Sequence, residues 1–167
     1  MKTFVFSTLP KSLEELSSDA SFNRQDPFCV AAFSVVALCR YMEDEKVGLE
    51  MLNWLKGPEP VSPLEQQFLR DRVRDGYTYV PKSYFAGAVP ENSYTPDQPY
   101  TISVSDNPYS YPEGQIKVAR LLLKSGGADS ERFISVRQKK STGEWFLHEW
   151  QGILAGIRIP SAEDPWA

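Results

Sequence analysis

Residues 27–42, PFCVAAFSVVALCRYM, are apolar on nearly every side of a helical wheel. A helix of that kind has no face to give to water, so other elements must surround it. Asp26-Pro27 supplies its start, with Asp as N-cap and Pro at the first helical position. The stretch Phe28 to Cys39 is too short to span a membrane, and Ser34 interrupts it. The chain therefore needs a fold that wraps a layer around residues 27–42. One domain over residues 1–167 is long enough to do so.

Two more helices follow. In EKVGLEMLNWLK (45–56), Val47, Met51, Trp54 and Leu55 fall on one face, and Gly57-Pro58 ends it. Ser62-Pro63-Leu64-Glu65 is a capping box with Pro at N1. It opens a helix carrying Phe68, Leu69 and Val73, which Gly76 stops.

The pattern then changes. Seven of the eight tyrosines lie between Tyr77 and Tyr111, among prolines that forbid a long helix or internal strand. Its aromatic content sets this segment apart from a disordered linker. After it come YTISV (100–104), QIKVARLLLK (115–124), RFISVRQK (132–139), EWFLHEW (144–150) and ILAGIRI (153–159). Short turns and no intervening helix imply antiparallel hairpins. An earlier strand is expected at Thr3–Phe6 and a short helix near Leu13–Leu16. The expectation is an α+β fold, with N-terminal helices packed on one face of a C-terminal antiparallel meander sheet. Its parts are a helical half (about 1–76), a Tyr/Pro strap (77–112) and a sheet half (113–160). Trp166 is expected to dock the tail.

The net charge of −4 argues against a general nucleic-acid binder. The first sixteen residues do not read as a signal peptide. Cys29 and Cys39 are ten apart on one helix, about 15 Å along its axis, too far for a disulfide. A reduced, cytoplasmic setting follows. One histidine and two helical cysteines do not make a metal ligand set, and no cofactor is expected.

The blocks LNWLKGPEPVSPLEQQFLRDR, SYFAGAVPENSYTPDQPYTISV, KSGGADSERFISVRQK, EWFLHEW and IRIPSAEDPWA resemble a bacterial domain family of unknown function, from about residue 28 to the end. The resemblance implies a small bacterial intracellular protein and carries over no functional residue. The order of helices then curved sheet is similar to the cystatin-like and NTF2-like cones, an analogy of fold alone.

Candidate ligand contacts are Tyr84, Asn92 and Tyr94 in the strap, Arg120 and Arg132 in the sheet, and His148. Tyrosine gives large contact area at low entropy cost, which suits recognition. The same residues suit a strap that covers the layers. From Lys117 to Lys140 there are seven basic residues against two acidic ones. They serve either an anionic ligand or solvation of the outer sheet face. Arg120, flanked by apolar residues, is expected to be partly buried and paired with Glu149 or Glu144. Arg132 is expected beside Asp129 or Glu131, at a Gly-rich turn. Strand alternation places Phe146, His148 and Trp150 on one side of EWFLHEW and Trp145, Leu147 and Glu149 on the other. His148 reads as a general base or as a packed interfacial residue.

The best reading is a non-catalytic module binding a small molecule or protein through the Tyr/Pro loop and adjoining sheet. The alternatives are a small enzyme with a pocket around His148, Glu149, a tyrosine and Arg120, or a self-associating structural protein. Neither membrane nor nucleic acid is an expected partner, and oligomeric state is open.

Overall fold

The computed structural model describes residues 1–167. The elements are β1 (Lys2–Phe6), α1 (Leu13–Ser17), α2 (Pro27–Glu43), α3 (Glu45–Lys56), α4 (Pro63–Arg74), β2 (Tyr100–Ser105), β3 (Val118–Leu123), β4 (Arg132–Gln138) and β5 (Trp145–Glu149). The strands form one antiparallel meander in the order β1-β2-β3-β4-β5. The α+β expectation holds. Helix α2 touches every strand and α3 as well, and its residues Cys29 to Cys39 are buried without a break. No helix is long and apolar enough to cross a membrane.

Local chemistry explains the helix ends. The Asp26 carboxylate accepts the Phe28 N–H at 3.0 Å. Asp44 ends α2 and also caps α3, accepting the Val47 N–H. One residue thus reverses the chain between two helices. That reversal brings Gly48 against α2, where an added Cβ would sit 2.2 Å from Tyr41 Cα. At the start of α4, Ser62 and Glu65 form the expected capping box.

Strand β1 comes from the N-terminus yet pairs with β2, Phe4 facing Ile102. Strands β2 and β3 meet in only two pairs, Val104 with Leu123 and Ser105 with Leu122. Between β4 and β5 the ladder carries a bulge: Val136 faces Leu147 and Ser135 faces Glu149, leaving His148 as the extra residue. The extra residue resets the alternation. Trp145, Leu147 and Trp150 are buried, while Glu149 is exposed. The expected pairing of Trp150 with His148, and of Glu149 with Leu147, is therefore wrong beyond the bulge.

Two other expectations fail. ILAGIRI is not a strand: Gln151–Leu154 is a 3-10 turn and the chain beyond it lies outside the ladder. Its Ile153, Leu154 and Ile157 are buried all the same. An apolar run that packs as an irregular tail has the composition of a core strand. Here other groups take its carbonyls: Tyr84 takes that of Ile153, Arg132 those of Ala155 and Gly156, and Tyr79 that of Ile157. Trp166, expected to dock, is 93% exposed. Its N–H closes a local turn on the Asp164 carboxylate, and the ring stands in solvent.

Candidate functional site: a basic cleft at the sheet end

The strap residues singled out by the sequence hold the fold. The Tyr84 hydroxyl donates to the Ile153 carbonyl and the Tyr94 hydroxyl to the Arg158 carbonyl. Burial pushes both hydroxyls above the usual tyrosine range. The Asn92 amide donates to the carbonyls of Gly87 and Thr95, and its oxygen accepts the N–H groups of Val89 and Thr95. The Arg132 guanidinium donates to Ser130, Ala155 and Gly156. No carboxylate pairs with it; Asp129 pairs instead with Arg158 at 3.0 Å. Arg120, expected partly buried with a carboxylate partner, is exposed and lies 5.1 Å from the centre of the Phe133 ring. Outward orientation from β3 puts it in water, so no ion pair is needed.

Tyr84 and Tyr94 each line a shallow pocket of about 390 Å³, and His148 lines a third, strongly basic cleft. This cleft, of about 420 Å³, runs between the turn after α3 and the far ends of β3, β4 and β5. Lys117, Arg137, Lys139 and Lys140 converge on it. Lys117 precedes β3 and lies opposite Gln138, whose N–H donates to the Lys117 carbonyl. Lys139 and Lys140 leave β4 one and two residues later. Cross-strand register therefore collects charges that stand about twenty residues apart in the chain. Only Arg137 has a carboxylate within reach, Glu59 at 4.0 Å, and that glutamate is 76% exposed. Lys140 donates to the Gln115 carbonyl at 2.9 Å. Lys117 and Lys139 form no ion pair. The Lys117 ammonium lies 5.8 Å from the centre of the Trp145 ring. Four basic residues lining one cleft with a single weak counter-charge make it a favourable place for an anion.

The cleft walls have their own support. Phe146 is wedged between the backbone of Gly57 and the Arg24 guanidinium, 4.6 Å from its ring. Gly57 has φ of +65°, and an added Cβ there would lie 2.2 Å from Phe146. Lys56, at the cleft's inner wall, is held by Glu65 at 3.2 Å. Glu65 also accepts the Ser62 N–H and the Gln151 amide. Burial alone would raise the Glu65 carboxyl, but the hydrogen bonds from Ser62 and the Lys56 ammonium outweigh it and leave the pKa lowered. Sequence reasoning missed Lys56, Glu59 and Phe146. The only available signal for Lys56 was its place at the end of an amphipathic helix, and tertiary packing alone buries it.

The Glu149 carboxylate is 3.9 Å from His148 Nε2, beyond hydrogen-bond length. Arg120, Glu149 and all eight tyrosines lie outside the residues that line the cleft.

The two cysteines are free and buried in α2. Burial raises Cys29 to about 11 and Cys39 to about 12. The thiolate is the reactive form, so both are expected to be inert at neutral pH. An aromatic-disulfide reagent should modify neither in the folded protein and both in denaturant. Rapid labelling of Cys29 in the native state would contradict its burial.

Residues 8–161 match the model of a family described as a domain of unknown function (DUF6935), and the chain belongs to that family. This agrees with the expectation of an uncharacterised domain family. No curated protein and no solved structure matches the chain.

Proposed function

We propose that this chain is a non-catalytic binding module whose ligand is a small anion-bearing molecule, taken in the cleft between the turn after α3 and the ends of β3 to β5. The observation that supports this reading is the convergence of Lys117, Arg137, Lys139 and Lys140 with one exposed carboxylate among them. In this reading His148 is a hydrogen-bonding wall residue, and Ile116 and Phe146 supply apolar contact. The Tyr/Pro strap, expected to be the recognition loop, is given the supporting role of tying the helical layer to the sheet and tail. We place the protein in the bacterial cytoplasm, a setting consistent with two free, buried thiols.

The test is a thermal-shift and calorimetric screen with inorganic phosphate and a panel of phosphorylated and carboxylated metabolites. A ligand at about 100 times its Kd stabilises the folded state by about 2.7 kcal/mol. At about 2–4 °C per kcal/mol for a chain of this size, the melting temperature should rise by roughly 5–10 °C. Higher salt should shrink the shift, since exposed charges are screened. An Arg137→Glu/Lys139→Glu variant should fold normally and lose the response. A screen without anionic hits, or a response unchanged in that variant, would count against the cleft. Turnover of a hit would instead favour the enzyme reading.

A further inference from the structure

The two edges of the sheet are treated differently. At β5 the edge is capped at its first residue: the Trp145 N–H donates to the Arg24 carbonyl at 2.8 Å, and the Arg24 guanidinium donates to the Trp145 carbonyl at 3.3 Å. Edge β1 has no such cover. Its inner side pairs with β2 along Lys2 to Phe6. Apart from that ladder, no hydrogen bond reaches a backbone N–H or C=O of residues 2–6. Alternate residues of an edge strand point these groups outward, which makes a template for another strand.

The sequence of β1, KTFVF, is also open to pairing with itself. Its one charge, Lys2, is already engaged by Asp26 at 3.0 Å. It contains no proline and no second charge that would repel a copy. Thr3 and Val5 are exposed on the outer face of the sheet, while Phe4 packs against the core on the inner face. An antiparallel two-fold through Phe4 sets Thr3 opposite the partner copy's Val5 and Phe4 opposite the same residue of the copy. Lys2 then faces Phe6 rather than another lysine. β-branched and aromatic cross-strand pairs are favourable ones. A two-fold axis also makes the contact isologous, so it closes at two chains.

We infer that β1 is a self-association edge, and that two copies of this chain pair β1 with β1 antiparallel to form one continuous ten-stranded sheet. The contact is small, about five residues a side, so the dimer is concentration-dependent rather than obligate.

Sedimentation velocity or light scattering of the full chain, from micromolar to millimolar concentration, tests this. The mass should rise from 18.9 kDa toward twice that value. Amide exchange over residues 2–6 should slow with concentration. A Thr3→Lys/Val5→Lys variant changes only exposed side chains and sets lysine opposite lysine across the axis. It should fold with an unchanged melting temperature at low concentration and remain monomeric at high concentration. A chain that stays at 18.9 kDa throughout overturns the inference and leaves the edge to a foreign strand. A dimer that persists in the variant overturns it as well. Neither result bears on the anion cleft, which lies at the opposite end of the strand order.

Discussion

Gly48→Ala is expected to lower the stability of this protein by about 2 kcal/mol, although alanine is the better helix former. In an exposed helix the change would favour folding by about 1 kcal/mol. Here the new Cβ would lie 2.2 Å from Tyr41 Cα and 2.4 Å from Tyr41 N. Those are backbone atoms of α2, and they cannot rotate away. Tyr41 is itself buried, and α2 is packed on every side by the sheet and α3. Relief therefore requires the two helices to separate, a cost of about 1–3 kcal/mol or more in a close-packed core. The clash outweighs the propensity gain. Urea unfolding should show a lower midpoint at unchanged slope, and the melting temperature should fall by roughly 4–8 °C. A variant as stable as the parent would mean that α2 and α3 are not in contact at Gly48.

The second large effect lies at Glu65. Lys56 is 8% exposed and Glu65 16% exposed, and the carboxylate also holds the Ser62 N–H and the Gln151 amide. Glu65→Ala removes the partner of a buried ammonium together with the reciprocal half of the α4 capping box, the carboxylate's bond to the Ser62 N–H. The expected loss is about 3 kcal/mol, since breaking a buried pair from one side leaves an uncompensated charge. Replacing both residues by apolar ones, Lys56→Met/Glu65→Leu, should recover much of that loss, because no lone charge remains. The pair also predicts a pH dependence. The folded pKa of Glu65 is lowered from its ordinary 4.5. A group with a depressed folded pKa contributes its stability in full above the unfolded value. That contribution is lost as pH falls through the folded value. Stability should decline below about pH 4.5 in the parent, with a shallower decline in Glu65→Gln. Identical acid limbs for the two proteins would remove Glu65 from the account.

How much of this was legible in the chain depends on the range of the interaction. Helix α2 and its central burial follow from a run with no polar face. The caps at Asp26 and Ser62 are also local, because a side chain bonds an N–H two or three residues away. The four strands after the strap follow from alternation and turn residues, and so does the meander order. Local pattern also drew attention to the Lys117–Lys140 charges, though it could not say which of them meet.

The misses share one cause. Glu149 was put on the wrong face because a bulge at His148 depends on how β5 registers with β4, which β5 alone cannot encode. ILAGIRI was read as a strand because burial raises hydrophobicity whether or not a ladder forms. Tyr84, Asn92, Tyr94 and Arg132 have the composition of a recognition surface. Their partners, the carbonyls of residues 87, 95, 130, 153, 155, 156 and 158, add a tying role that composition does not reveal.

The sequence by itself therefore determined the class of the fold and the central place of α2, since hydrophobic period and capping act over a few residues. The tertiary structure alone decided that Lys117, Arg137, Lys139 and Lys140 share a cleft with His148, that Gly48 has no room for a side chain, and that Tyr79, Tyr84 and Tyr94 tie the strap to the tail. Each of those depends on distances between residues remote in the chain, and such distances are set by packing and register.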